Sequence, residues 1–582
     1  MIDFKNKLNK IIEIITIKNV SYLSVVLNLA SIILGIVYIV KPLYSFLWDV
    51  FGVILLISLF VNLLLVYLNL DKINNANRLG KRTSLLCYFY LVFMIFAMLS
   101  LMSGNLSTSG TYSNEGIENF GAYFTTYFSY FGILIFGIFI GLIDIKNIKN
   151  KTFWVFKKRF EGIKSTEIIR AKEILYKIFT ILTQVILIIS IIFAINVLFG
   201  VFEIITTGIV LFTPQFGTFF SFIFLANTII YLKLKLKKKK WNPKKYYRTA
   251  FIGILISGIC MMPFFLTHSI AFNAENKFLD MFGQDWREQI PVDVNNYFLQ
   301  TTFSVPGYFL GIPPKSCNIE EQTLFYEGEG ISLYFDAYMP LDRGRNLPGE
   351  NSTIIRIHGG GWVSGDKGHM NMMQMNKYFA AQGYIVFDIQ YGLFDGGMPF
   401  VDSSTPDYNK GDFNIDDMMR HLGIFTIYLA EHADEYGAKL DSVFVSGGSS
   451  GGHLASAMAL AIASGNYTDI FSQNLTIKGL IPFYPANGQM VYFGIDGKEE
   501  FKNPEKLIEE DSPPCLIFQG THDILNYFSI TNNFRNTYLA EGNYECAILW
   551  MLLGGHASDF YFSGYYNQIF LYYMERFLYF YH

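Results

Sequence analysis

Ser446-Gly447-Gly448-Ser449-Ser450-Gly451-Gly452-His453 is the stretch on which the reading of this chain turns. It follows a short apolar run, Val443-Phe444-Val445, and precedes a helix-like run, 454–462. A strand, a glycine-packed turn around a serine, then a helix is the context of a nucleophile elbow. The turn is so tight that the positions two before and two after the serine must be small. Gly447 and Gly451 meet that need around Ser449. Gly448 and Gly452 meet it around Ser450, so a second register competes. Upstream, His358-Gly359-Gly360-Gly361-Trp362 ends another strand-like run, 354–357. A glycine run there lets backbone N–H groups point at a developing oxyanion without side-chain obstruction. Two such motifs in this order imply acyl-transfer chemistry.

Composition divides the chain. A length of 582 residues predicts more than one domain. Up to about residue 270 there are 28 Lys+Arg against 11 Asp+Glu; beyond it the counts are 17 and 37. All nine histidines lie at or after His268. The first half is dominated by apolar runs of about 18 residues or more, long enough to cross a bilayer. Seven are expected as spans: 20–40, 50–70, 85–102, 127–145, 178–198, 215–232 and 249–272. The apolar stretch 201–214 leaves an eighth, re-entrant segment open.

Basic residues alternate between loops. Lys5, Lys7, Lys10 and Lys18 precede the first run, and Lys72, Arg78, Lys81 and Arg82 separate the second from the third. Ten basic residues lie between Lys146 and Lys177, and Lys237 to Lys240, Lys244, Lys245 and Arg248 separate the sixth from the seventh. The other loops carry Lys41 alone. Positive loops stay cytoplasmic. The expectation is therefore an integral membrane protein, N-terminus inside, with everything after Phe272 outside; the Ile-, Lys-, Asn- and Phe-rich usage suggests a bacterial plasma membrane. The Lys237–Lys240 run reads first as a topology determinant and second as a site for anionic lipid headgroups. Nucleic-acid binding is not expected from so short a basic segment between spans. Phe4, Leu8, Ile11, Ile12 and Ile15 recur at helical spacing, which suggests a helix lying on the cytoplasmic membrane face. The expected organisation is an amphipathic N-terminus at 1–19, a membrane domain at 20–272, a linker or cap at 273–325 and a catalytic domain at 326–582.

The five cysteines form no Cys-x-x-Cys, and Cys515 and Cys546 sit in apolar runs as packing residues. No His/Cys/Asp cluster has metal-ligand spacing, so neither a metal nor another cofactor is expected. Past Phe272, strand-like runs at 331–338, 354–358, 384–391, 443–446, 479–484, 515–519 and 546–551 alternate with helix-like runs at 416–436, 454–464 and 566–581. That alternation predicts a mostly parallel sheet flanked by helices, with ligands at the carboxyl ends of the strands.

On the elbow and on His358-Gly359-Gly360-Gly361-Trp362, with Gly520-Thr521-His522-Asp523 and Gly554-Gly555-His556-Ala557 in support, residues 331–582 resemble the α/β-hydrolase fold. The likeness is strongest to hormone-sensitive-lipase-type esterases and formamidase-like carboxylesterases. The resemblance implies a Ser, acid, His order. Ser449 would be the nucleophile, Asp523 the acid and His556 the base. Gly360, Gly361 and the N–H of Ser450 would form the oxyanion hole. His358 and Gly359 would brace the glycine loop, and Gly447 and Gly451 the elbow. Asp511 and Asp559 are rivals to Asp523, and His522 is a rival to His556. His453 is expected under the elbow helix; His268, His369, His421 and His432 read as ordinary histidines. The family's Tyr-Arg pair is here Tyr391-Gly392, and 392–413 is expected as a loop beside the site.

The expected function is a membrane-anchored serine ester hydrolase acting outside the cytoplasm through an acyl-enzyme. Its substrate would be a lipid ester, an acylated envelope glycan or an acylated small molecule, with membrane lipid as its other partner. An acyltransferase with the same triad, or a non-catalytic membrane sensor with a ligand-binding outer domain, are the alternatives.

Overall fold

A computed structural model of the chain describes residues 17–40, 46–71, 78–109, 120–149, 166–200, 213–236 and 242–582, apart from 314, 345, 369–371 and 397–404. The expected amphipathic N-terminus, most of the basic loops, the Lys237–Lys240 run, His369 and residues 201–212 lie outside the described residues.

Among the described residues, seven helices open the chain: α1 (Ile17–Val40), α2 (Phe46–Asp71), α3 (Arg78–Ser109), α4 (Phe120–Lys149), α5 (Thr166–Phe199), α6 (Gly217–Leu236) and α7 (Pro243–Cys260). The first six are each long and apolar enough to cross a membrane. The seventh expected span is broken into three pieces: α7, α8 (Met262–Phe265) and α9 (Thr267–Phe282). Pro263, which has no N–H to continue the ladder, sits in the first turn of α8, where a proline is tolerated. Within the bundle, Asn28 and Asn62 exchange amide hydrogen bonds of 2.8 and 2.9 Å, and Ser31 meets Ser58 at 2.9 Å. Polar pairs of this kind fix helix register where lipid supplies no hydrophobic drive. Gly137 makes room for them, since a Cβ there would lie 2.6 Å from the Asn62 amide.

The two ends of the bundle differ. At one end Tyr67 meets Tyr246 through their hydroxyls at 2.7 Å, and the Lys233 ammonium lies 3.6 Å over the Tyr67 ring. At the other end, Tyr38 donates to the Gly311 carbonyl at 3.3 Å and Asn105 to the Phe309 carbonyl at 3.0 Å. Helix α7 runs from the first end, at Tyr246, to the second, where the Cys260 carbonyl abuts Gly217. Helix α10 (Val305–Leu310) packs on that second end.

Beyond it lies an eight-stranded sheet. Its strands are β1 (Asn318–Gly328), β2 (Ile331–Met339), β3 (Ser352–Ile357), β4 (Ile385–Ile389), β5 (Lys439–Gly448), β6 (Ile477–Phe483), β7 (Cys515–Gly520) and β8 (Cys546–Met551). The order across the sheet is β1-β2-β4-β3-β5-β6-β7-β8. Within this sheet only the β1–β2 and β2–β4 pairings are antiparallel. Helices cover both faces, among them α11 (Met373–Ala380), α12 (Ile415–Tyr436), α13 (Ser450–Ser464), α14 (Phe528–Ala540) and α15 (Tyr565–Tyr581). This is the mostly parallel α/β sheet that the alternation of runs predicts.

Two expected boundaries move. Helix α9 continues across 272/273, and β1 starts at Asn318 and crosses 325/326. Strand β1 shows no clean alternation: Glu320 and Glu321 interrupt it, Gln322 has φ +59, and its register with β2 shifts twice. The segment before β1 is a wedge between bundle and sheet. Leu299 N donates to the buried Glu575 carboxylate at 2.7 Å, and Ser304 N to Gln568 at 2.8 Å, both acceptors on α15. The face of the sheet under α12 and α13 has its own apolar core. The opposite face, with α11 and α15, shares one continuous core with the bundle. The catalytic-type domain is thus packed on the bundle rather than tethered to it.

Candidate active site

The elbow is the tightest place in the sheet. Ser449 links β5 to α13 with φ +56 and ψ −120, a strained backbone that a non-glycine residue holds only when its surroundings enforce it. Its N–H donates to the Phe483 carbonyl at 3.0 Å, and its carbonyl accepts from His453 N at 3.0 Å and Ala486 N at 3.2 Å. A Cβ on Gly447 would lie 2.4 Å from the Gly451 carbonyl oxygen, and one on Gly451 would lie 2.2 Å from that of Ile357. Those two positions must therefore be glycine, as the Ser449 register requires.

Three side chains converge at the carboxyl ends of β5, β7 and β8. Asp523 sits in the turn after β7, where Leu525 N and Asn526 N donate to its Oδ1 at 3.0 and 2.8 Å. Two backbone donors lock the carboxylate rotamer and leave Oδ2 for His556 Nδ1, 2.9 Å away. His556 Nε2 lies 3.1 Å from Ser449 Oγ. The tautomer with its proton on Nδ1 satisfies all three groups: Nδ1–H donates to the carboxylate and Nε2 accepts from the serine. The Ser450 hydroxyl is fully buried beside Tyr391 and has no such partner.

The rivals fall elsewhere. Asp511 is exposed. Asp559 is buried beside Tyr484 and Arg356, and burial raises its carboxyl above the ordinary range. His522 faces the Val197 backbone at the end of α5, and burial lowers its imidazole. His453 lies in the first turn of α13, buried, accepting from Trp362 Nε1 at 3.3 Å and facing the Phe501 carbonyl at 2.7 Å. Burial pushes it down to about 4, so it stays neutral. His421 is buried against Glu329, His432 stacks on Tyr428, and His268 is exposed.

The glycine loop lies against the elbow, with a Gly359 Cβ position 3.5 Å from Ser449 Cβ. His358 stacks on Tyr391 at 4.6 Å and contacts the Gly359 carbonyl through Nδ1 at 2.9 Å. Ser364 ties the loop by donating from N and Oγ to the Gly360 carbonyl, at 3.1 and 2.9 Å. Gly360 has φ +127 and a Cβ there would lie 1.9 Å from the Ser364 carbonyl oxygen; Gly361 has φ +64. Among the described residues, no acceptor engages the N–H of Gly360, Gly361 or Ser450. Three unused donors thus flank the serine. Among the described residues, no group of three His, Cys, Asp or Glu side chains could hold a metal.

Two contributors carry no sequence motif. Tyr484, just past β6, packs its ring 4.5 Å from that of His556. Gln215, at the foot of α6, reaches from the bundle into the His556 loop: Tyr561 N donates to its Oε1 at 2.8 Å, and its Nε2 donates to the Ala557 carbonyl at 3.4 Å. In the sequence Gln215 merely begins an apolar run; only the folded loop reveals its partners.

Known proteins resemble this part of the chain. The sequence profile of the BD-FAE family matches residues 335–494. The probable carboxylic ester hydrolase LipM of Mycobacterium tuberculosis is 29% identical over 140 residues, which are 24% of this chain and 28% of that protein. The chain therefore spans little more than a quarter of that relative's length. Among solved structures, esterase 2 of Thermogutta terrifontis is 20% identical over 46% of this chain and 91% of that one, with a TM-score of 0.33. Esterase B of Lactobacillus rhamnosis is 21% identical over 43% and 81%, with a TM-score of 0.34. The carboxyl-terminal half has the α/β-hydrolase fold, preceded by six apolar helices.

Proposed function

We propose that this protein is a membrane-embedded serine carboxylic ester hydrolase working through a Ser449–His556–Asp523 triad. The observation that carries the reading is His556 bridging Ser449 Oγ and Asp523 Oδ2 at 3.1 and 2.9 Å, at the ends of three different strands. Ser449 Oγ attacks the ester carbonyl carbon while His556 Nε2 takes its proton. The carbonyl oxygen becomes an oxyanion and accepts from the N–H groups of Gly360, Gly361 and Ser450. Asp523 holds the imidazole by Nδ1 and stabilises the imidazolium. Collapse breaks the C–O bond, and His556 returns the proton to the departing alcohol. Water, deprotonated by the same nitrogen, then releases the acid and regenerates Ser449. The similarity to a probable carboxylic ester hydrolase supports the ester as the bond cleaved. The test is a fluorophosphonate applied to the full-length protein: one adduct on Ser449 with concurrent loss of p-nitrophenyl acetate hydrolysis is expected. An active enzyme left unlabelled would remove the serine mechanism.

The hydrolase domain is proposed to lie outside the cytoplasm. Lys233, Lys244 and Lys245 belong to the bundle end opposite the sheet, and positive residues stay inside. All five cysteines are buried, so introduced thiols can be read alone. Lys498→Cys on intact cells is expected to react with a membrane-impermeant maleimide, and Lys244→Cys only after lysis. The reverse pattern would invert the topology.

The bundle also holds the catalytic loop. Gln215→Leu strips the Tyr561 N–H of its acceptor and frees the loop next to His556. Small displacements of an aligned base cost about 10-fold or more. The fall is expected in kcat rather than KM, with Gln215→Glu, which keeps the acceptor, recovering most of it. Unchanged kcat in Gln215→Leu would uncouple the loop from the bundle.

A further inference from the structure

Ten large apolar side chains are exposed among the described residues of 318–582, and five of them fall in two short segments beside the active site. Val491 and Tyr492 lie on the 3-10 turn Gln489–Phe493, with exposures of 54 and 82%. Leu525, Tyr527 and Phe528 lie in the Asp523 turn and the first turn of α14. The segments touch, since Gln489 Nε2 donates to the Leu525 carbonyl at 3.0 Å. Phe493, between them and the oxyanion loop, comes within 3.3 Å of a Cβ placed on Gly361. Neither 488–495 nor 521–530 contains a charged residue except Asp523, whose side chain is buried against His556. A polar-substrate enzyme would line this mouth with hydrogen-bonding groups; this rim is aromatic and aliphatic.

The rim is continuous with the bundle. The Asp523 turn rests on the end of α5, where a Cβ on Gly200 would lie 2.8 Å from His522 Cβ. Along α5 the outward residues Ile188, Ile191, Ile195 and Phe199 form an exposed apolar face, as expected of a lipid-facing helix. The end of the exposed α5 face at Phe199 and Gly200 thus abuts the Asp523 turn, which carries Leu525 and Tyr527 beside the Ser449 site. Tyr492 and Tyr527 are of the type that anchors at the headgroup layer, with an apolar body and a polar tip.

We infer that the rim of Val491, Tyr492, Leu525, Tyr527 and Phe528 dips into the leaflet at which α5 ends, and that the substrate is an acyl ester carried in that leaflet. The inference rests on the ester hydrolase reading above and narrows its substrate to a lipid or lipid-linked ester. Burial of such a rim also explains why it carries no charge: a charged side chain there would oppose insertion. A water-soluble ester would reach Ser449 with no need of the rim.

The test uses full-length protein in phosphatidylcholine vesicles with two substrates, dioleoylglycerol in the bilayer and p-nitrophenyl acetate in the water. Tyr492→Asp combined with Phe528→Asp alters only the rim, and an aspartate in the first turn of α14 suits a helix N-terminus. Dioleoylglycerol hydrolysis is expected to fall at least 10-fold, with kcat/KM for p-nitrophenyl acetate within twofold. Loss on both substrates, or on neither, overturns the inference. So does a wild type that hydrolyses p-nitrophenyl acetate and leaves dioleoylglycerol intact, an outcome that keeps the hydrolase reading. A wild type inert to both esters and to fluorophosphonate removes the hydrolase reading itself. A second measurement is independent of turnover. A nitroxide at Tyr492→Cys is expected to collide with oxygen and be shielded from a water-soluble nickel chelate, whereas one at Ile427→Cys, on α12, meets the chelate freely. Equal chelate access at both positions overturns the inference.

Discussion

Ser449→Ala is expected to lower kcat for p-nitrophenyl acetate by about 10⁴–10⁶, the range typical of losing a triad serine. Ser450→Ala is expected to retain much of it. The two serines are neighbours and both sit in a Gly-x-Ser-x-Gly frame, so the contrast is a direct reading of register. Only Ser449 has a hydroxyl within reach of His556, at 3.1 Å. Ser450 offers its N–H to the oxyanion, and alanine keeps that N–H. Its buried hydroxyl leaves a small space beside Tyr391, a packing cost rather than a chemical one. KM should change little in either variant, because neither hydroxyl is a main source of ground-state binding. A dead Ser450→Ala with an active Ser449→Ala would reverse the assignment. Equal loss in both would point to a collapsed elbow, which thermal unfolding of the two variants would reveal.

The candidate site was legible in sequence wherever backbone geometry restricts residue type. Gly447, Gly451, Gly360 and Gly361 each stand where a Cβ would clash with a carbonyl or where φ is positive, and such positions advertise themselves as glycine. Strands β3, β4 and β7 are buried along their whole length and β5, β6 and β8 along most of it, so they read as short apolar runs. Strand β1 lies at the sheet edge with a bulge and mixed burial, and it carries no periodic signal. Helix α11 is fully buried yet contains Gln374, Asn376 and Lys377, which hide its pattern. The contacts between bundle and hydrolase were not legible at all. Gln215 and the Ala557 carbonyl are far apart in sequence, and a long-range hydrogen bond to a backbone group leaves no trace in residue spacing. The seventh expected span was legible as an apolar run but not as three helices, because the run hides the break after Cys260.

Gly361→Val is expected to lower kcat by roughly 10²–10³, the cost of losing one oxyanion donor, with a smaller change in KM. The residue has φ +64, a conformation that a β-branched side chain resists, and its Cβ would press within 3.3 Å of the Phe493 ring. Both strains act on the same peptide. Relief of either one rotates the Gly361 N–H away from the position where charge builds on the carbonyl oxygen. The Gly360 carbonyl is held by Ser364 from both N and Oγ, so the upstream half of the loop stays in place and the protein stays folded. Fluorophosphonate labelling of Ser449 should slow in parallel, since that reaction also builds charge on an oxygen in the hole. The p-nitrophenyl acetate kcat and the labelling rate together separate the causes. If both fall, the loop supplies oxyanion stabilisation. If kcat falls while labelling is unchanged, the introduced isopropyl group blocks ester access past Phe493 instead. If neither changes in a folded protein, the His358–Gly361 loop has no part in the chemistry, and the mechanism rests on the elbow and on the N–H of Ser450 alone.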